Sequence, residues 1–289
     1  MLDHDKLLHF PIPEVRQALT KRDTAFYALS VGLGQDPMDD GQLDFVDQKR
    51  GLVAVPSMAV TLGYPGFWLS DPATGVDPKT VLHGEQSIEL LRPLPVEGEI
   101  IGRTRVTGLI DKGTGRGALL YSEKHVTDAA TGELVAVTSS TTFLRGTGGF
   151  GGPTGPVKMA RALPERDPDI AVDLATRPEQ ALIYRLNGDD NSVHAAPDIA
   201  RQAGFPRPIL HGLCTFGVAC HALLRSLAHY RADGFKRMQA RFSAPVYPGE
   251  TIRTEIWRDG SFRCRVVERD VVVIDNGHAE FDWSRSGPP

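Results

Sequence analysis

The densest polar stretch of the chain is Tyr184-Arg185-Leu186-Asn187-Gly188-Asp189-Asp190-Asn191-Ser192-Val193-His194, which brings a carboxylate, an amide and an imidazole within six residues. A carboxylate and an imidazole side by side can take a proton from water and return one to carbon, and the amide of Asn191 can orient the water between Asp189 and His194. Adding water across an α,β-unsaturated thioester needs that pair, and it also needs a donor to hold the thioester oxygen as enolate charge develops. On residue types alone a plainer meaning is commoner: Asp and Asn in such a loop cap a helix and satisfy turns. The donor comes from a second segment, Pro208-Ile209-Leu210-His211-Gly212-Leu213, which opens an apolar helix. First-turn N–H groups have no internal acceptor and sit at the positive end of the helix dipole. Gly212, with no side chain, lets a carbonyl approach closely. Its plainer role is close packing of helix on sheet, and His211 reads as a structural histidine.

These residues need elements to position them. Leu210, Leu213, Gly217, Cys220, Leu224 and Leu227 recur at spacings of three and four, which predicts a helix over 210–230 with a buried stripe. The chain also repeats itself. Phe26-Tyr27-Ala28-Leu29-Ser30 is echoed by Ile183-Tyr184-Arg185-Leu186-Asn187, and Arg92-Pro93-Leu94-Pro95-Val96-Glu97-Gly98-Glu99 by Ala244-Pro245-Val246-Tyr247-Pro248-Gly249-Glu250 with one residue dropped. After each Pro-Gly signal come runs of strand composition, 101–111, 119–127 and 134–144 in the first half and 251–257, 262–268 and 271–281 in the second. Thr131-Gly132 and Asp259-Gly260 suit the hairpin turns. Each half therefore reads as a helical front followed by antiparallel strands, and the glycine-rich 146–156 has linker composition. The expected units are 1–150 and 166–289, joined by 151–165. Spacing alone leaves a sheet curled round a helix as one α+β option among several.

The first half keeps the aromatic lead in Tyr27-Ala28-Leu29-Ser30-Val31-Gly32-Leu33-Gly34 but lacks the Asp and the His. Its counterpart of the His-Gly helix start is Pro56-Ser57-Met58-Ala59-Val60. The repeat has kept a fold and lost chemistry, and its small residues Gly32, Gly34 and Ala59 suit an acyl chain.

At this point the residues resemble the type-2, (R)-specific enoyl-CoA hydratases of the MaoC-like dehydratase family, in particular the hydratase unit of multifunctional enzymes. Gly188-Asp189-Asp190-Asn191-Ser192-Val193-His194 is similar to the family's Gly-Asp-x-Asn-Pro-x-His, with Ser192 standing at the proline. Pro208 to Gly217, the run Arg241-Phe242-Ser243-Ala244-Pro245-Val246-Tyr247-Pro248-Gly249 and His83-Gly84-Glu85-Gln86 carry the likeness over nearly the whole chain. The resemblance implies an α+β double hot-dog, two repeats each of an antiparallel sheet wrapped around a long helix, with chemistry in the second repeat only. It implies that Asp189 and His194 activate water and deliver a proton on one face to give a (3R)-hydroxyacyl-CoA, that Asn191 holds the water and that the Gly212 N–H polarises the thioester. His83, Gly84, Lys112 and Phe242, together with Asp190, Ser192 and Val193 of the motif, match positions that line the CoA thioester. Losing the proline that fixes φ loosens the loop without removing a reacting group.

Composition bounds the rest. A net charge of −4 and a pI near 6.1 leave no basic face for nucleic acid. Cys214, Cys220 and Cys264 are odd in number and lie in apolar settings, which predicts reduced, buried thiols. No run is long and apolar enough for a membrane, the first residues suit no signal peptide, and the Ser-Gly-Pro-Pro end is no peroxisomal tail, so the expectation is a cytoplasmic protein. Gly146-Thr147-Gly148-Gly149-Phe150-Gly151 has the letters of a dinucleotide fingerprint but no helix after it. Asp189, Asp190, His194 and His211 match no familiar metal spacing, and the chemistry needs neither metal nor organic cofactor. An acyl-CoA substrate and a homodimer, the latter by fold analogy, complete the reading. A thioesterase and a non-catalytic acyl-CoA-binding subunit are the alternatives.

Overall fold

The computed structural model describes residues 2–282 and 284, so Met1, Trp283, Arg285 and the final Ser-Gly-Pro-Pro lie outside the described residues. Ten strands form one antiparallel sheet: β1 (Val15–Leu19), β2 (Val81–Leu90), β3 (Gly98–Asp111), β4 (Ala118–Asp128), β5 (Leu134–Leu144), β6 (Ile170–Ala175), β7 (Phe235–Phe242), β8 (Thr251–Ile256), β9 (Ser261–Val266) and β10 (Val271–Phe281). Their order is β1-β3-β4-β5-β2-β7-β10-β9-β8-β6. Read inward from its own edge, each half runs first, third, fourth, fifth, second strand, so the internal repeat is one of topology. The halves join where β2 pairs with β7, from Glu85 opposite Arg241 to Glu89 opposite Arg237. Four strands escape the sequence reading: β1, β2, β6 and β7. In β2 and β7 the solvent-side positions carry Glu85, Glu89, Arg237 and Arg241, which hides their apolar partners.

Six α-helices complete the described chain: α1 (His4–Leu8), α2 (Lys21–Ser30), α3 (Asp40–Val46), α4 (Gln180–Tyr184), α5 (Pro197–Gln202) and α6 (Gly212–Leu227). The Thr20 hydroxyl and the Asp23 carboxylate cap the start of α2 reciprocally. The sheet wraps α6 as the double hot-dog requires. Every residue from Cys214 to Leu224 is buried, so the helix hides all its faces and not a single stripe, because sheet covers one side and the first half covers the other.

In the first repeat the expected long helix is one turn of 3-10 helix, Pro56–Val60. Two features stop it. Lys124 of β4, buried, donates from Nζ to the carbonyls of Val60 (2.8 Å) and Leu62 (2.6 Å). Beyond them Gly63 takes φ 59° and packs backbone to backbone against Gly102, where any Cβ would clash. Ala59 lies in the packed core, and a Cβ on Gly34 would already meet Leu29 and Val46.

The repeated residues touch one another. The Tyr27 and Tyr184 rings meet edge to face at 6.2 Å, and Asn187 Nδ2 donates to the Ser30 hydroxyl at 2.9 Å. Gln180 and Cys214 also donate to the Ser30 carbonyl, stitching the end of α2 to the second half. The glycine-rich connection is pinned as well: the Asp111 carboxylate accepts from the N–H groups of Gly113, Gly149 and Gly151 at 2.7–2.9 Å. All three cysteines are free and buried.

Candidate active site

The polar loop after α4 folds back on the start of α6. A 3-10 turn, Arg185–Asn187, ends at Gly188 with φ 109°, and Asp189 follows, half-buried. Its Oδ1 accepts from the Asn191 N–H at 3.3 Å, closing a local turn. Asn191 then caps a second 3-10 turn, Ser192–His194, by accepting from Val193 N–H at 3.2 Å. The capping role open to this loop on composition is thus filled by the exposed Asn191, whose Oδ1 is committed to it. That turn delivers the buried His194 ring.

His194 Nδ1 lies 2.9 Å from the Ile209 carbonyl. A carbonyl only accepts, so Nδ1 carries the proton and Nε2 presents a lone pair. Burial lowers the pKa of His194 below that of a free histidine, against the opposing pull of the Ile209 carbonyl and the Asp189 charge. The ring stacks on His211 with centroids 3.7 Å apart and planes 26° apart. His211 donates from Nε2 to the Asp189 main-chain carbonyl at 3.2 Å, and burial together with its His194 neighbour pushes its pKa down to about 3. Both imidazoles are therefore neutral near pH 7.

His211 is the N-cap of α6, so Gly212 opens the helix with its N–H facing outward from the helix start. A Cβ on Gly212 would stand 3.4 Å from the Phe242 ring, filling the approach to that N–H. Phe242 meets the His83 ring edge to face at 4.9 Å across the β2–β7 seam. Gly84 makes a bulge in β2 and comes so close to β5 that a Cβ would stand 3.0 Å from the Thr141 carbonyl. His83 keeps an accessible edge while protein crowds the rest of its ring, and this crowding lowers its proton affinity.

Asp189, His194, Gly212, Phe242, His83 and Gly84 thus converge. Asp190 and Ser192 lie on the exposed outer side of the loop, and Val193 is half-buried with its carbonyl taken by Ile209 N–H. Lys112 stands apart on the β3–β4 turn with its ammonium 5.7 Å from the Phe143 ring centroid. Phe143 pairs with Leu82, next to His83, so Lys112 flanks the same end of the sheet. Tyr64, which no sequence pattern marks, lies close enough to Asp189 and Asp190 that their charges reinforce burial in raising its phenol pKa. It sits in an irregular segment where periodicity carries no signal.

Asp189, His194 and His211 hold ligand-capable atoms within 4.8 Å of one another. The two rings are stacked with planes only 26° apart, a geometry in which in-plane lone pairs do not meet at one point as the convergent donors of a zinc site do. What the arrangement suits is proton transfer to and from a water lodged against Asp189 and His194, with an N–H facing an adjacent carbonyl oxygen.

Known proteins share this plan. Residues 18–146 match the MFE-2 hydratase 2 N-terminal domain and residues 160–280 the MaoC like domain. The chain is similar to 3-hydroxyacyl-thioester dehydratase Y of Mycobacterium tuberculosis, at 42% identity over 91% of this chain and 92% of that protein. It is 38% identical to peroxisomal enoyl-CoA hydratase 2 of Arabidopsis thaliana over 93% of both. Among solved structures it superposes on a MaoC-like dehydratase from Phytophthora capsici with a TM-score of 0.83 and 36% identity, covering 96% of this chain and 98% of that one. The two domain matches lie in series, one over each half of the chain, and the chain belongs to the MaoC-like, type-2 enoyl-CoA hydratase family of hydro-lyases.

Proposed function

We propose that this protein hydrates trans-2-enoyl-CoA reversibly to (3R)-3-hydroxyacyl-CoA. The observation that carries the reading is the His194 tautomer: with Nδ1–H given to Ile209, Nε2 faces the site as a base beside the Asp189 carboxylate. Water held between them loses a proton as its oxygen bonds to C3 of the enoyl group. Electrons move to the thioester oxygen, where the Gly212 N–H meets the enolate. The enolate collapses as C2 takes a proton from the Asp189–His194 pair, so both parts of water arrive on one face. Asn191 Nδ2 orients the water, and His83 and Phe242 border the thioester. Lys112, with Lys79, Arg116 and Arg145 exposed at the same sheet end, suits the phosphates of CoA. No metal or organic cofactor enters these steps.

The test is a paired assay of the protein and Asp189→Asn on crotonyl-CoA and trans-2-decenoyl-CoA, following enoyl absorbance and product chirality. The variant is expected to lose about 10²- to 10⁴-fold in kcat, the usual share of an acid–base group. Formation of the (3S) product, or release of free CoA thiol, would overturn the assignment. Three buried free thiols suit a reducing compartment such as the cytoplasm, and the homodimer expected by fold analogy is checked by sedimentation. Among the described residues no helix is long and apolar enough to cross a membrane.

A further inference from the structure

We propose that His211 is a positioning residue for the hydration centre, a role that rests on the functional reading above. One residue ties together the three parts the reaction needs. Its Nε2–H fixes the main chain of Asp189 at 3.2 Å, its face carries the His194 imidazole at 3.7 Å, and its own carbonyl, accepting from Cys214 and Thr215 N–H, sets the first turn of α6 and hence the direction of the Gly212 N–H. A shift of this ring displaces base and carboxylate together, while its main chain holds the oxyanion donor.

The choice of imidazole is itself informative. His211 is 1% exposed, and its Nδ1 has no hydrogen-bond partner among the described residues. A buried acceptor left unpaired is a penalty that Phe or Leu would avoid, so a residue serving only to fill space has no reason to be histidine here. What the imidazole adds is the Nε2–H to the Asp189 carbonyl. Neutrality matters as well: His194 gains positive character when it takes the water's proton, and a charged neighbour stacked on it would oppose that step. The ring beneath it stays uncharged because burial disfavours its protonated form.

Glutamine can place an N–H where histidine has Nε2, whereas leucine fills similar space with no donor. For His211→Leu, kcat on crotonyl-CoA is expected to fall about 10- to 100-fold with KM within about twofold, the signature of misplaced reacting groups in an intact substrate site. His211→Gln is expected to recover most of the loss. Equal activity in both variants, whether high or low, would overturn the proposal, since the donor would then be irrelevant. If the leucine variant does not fold, the unmodified protein still decides. Histidine ring ¹⁵N spectra at pH 7 must show His211 neutral with its proton on Nε2, and either the Nδ1–H tautomer or the imidazolium would sink the idea. Should the parent protein leave crotonyl-CoA unchanged, the hydratase reading fails, and the spectra still report on His211 by themselves.

Discussion

Two neighbouring histidines are held in opposite tautomers by nothing more than the carbonyls they meet, Ile209 for Nδ1 of His194 and Asp189 for Nε2 of His211. Side-chain identities announce the pair of Asp189 and His194 because they share one short loop, but main-chain partners are silent in a sequence, and so the tautomers, the stack and the part played by His211 were not legible. His83 and Phe242 came into the reading only through family likeness, since they meet across a strand pairing that joins positions far apart in the chain. Ser192 stands where the resemblance places a proline, and the local backbone would accept that proline. Ser192 is the first residue of its 3-10 turn, just after the Asn191 cap, which is where proline fits a helix without forfeiting an internal hydrogen bond. Ser192→Pro is therefore expected to raise stability by about 0.4–1 kcal/mol through the unfolded chain and to leave kcat within a few-fold. Urea unfolding read beside the crotonyl-CoA rate checks this, and a drop in stability would show that the turn's backbone is not proline-compatible.

At the scale of elements, the apolar period of α6 was plain in the sequence, and the three later strands of each half fell within a few residues of where composition placed them. The first-repeat helix was not legible, because what ends it is the Lys124 side-chain nitrogen donating to two carbonyls and the contact of Gly63 with Gly102, both of which join segments distant in sequence. The same kind of contact governs how α6 meets α2. A Cβ on Gly217 would lie 2.4 Å from Val31 Cγ1 and 3.2 Å from the Tyr27 hydroxyl, which itself hydrogen-bonds Ser57 at 3.0 Å. Two effects oppose one another in Gly217→Ala. Helix propensity favours alanine by about 1 kcal/mol, and overpacking opposes it by about 1–3 kcal/mol. Val31 is buried on a short helix cap with little room to yield, so packing should win and the variant should lose about 1–2 kcal/mol in urea unfolding. A gain in stability would mean that α2 can move away from α6, and that the two repeats are coupled less tightly than the Tyr27–Tyr184 contact implies.

The whole molecule puts three histidines into one continuous core. Burial holds His194 below the ordinary histidine pKa, His211 down to about 3 and His221 down to about 4, the last on α6 beside the Tyr230 hydroxyl with Asp39 and Arg225 nearby. In the unfolded chain each returns to about 6.5. Above that value neither state binds these protons and pH has no hold through them. As pH falls below 6.5 the unfolded chain takes up protons that the folded protein refuses, so folding stability declines, and it continues to decline until the folded pKa values are reached. Each refused proton steepens the fall by about 1.4 kcal/mol per pH unit once the pH is well below 6.5. Depressed carboxylates such as Asp169, at about 2, add the same trend only below the ordinary carboxylate range, so the window from pH 6.5 to 5 belongs to the histidines. Urea unfolding across pH 6.5 to 5 should therefore show a steady loss, below the range in which the buried Lys124, its pKa lowered to about 7, makes most of its own contribution. His221→Gln, remote from the reacting groups, should make that loss shallower by about 1.4 kcal/mol per pH unit. A stability that is flat down to pH 5, or a slope that ignores His221, would mean that these rings reach solvent and are protonated in the folded state, and the neutral pair on which the chemistry depends would lose its physical basis.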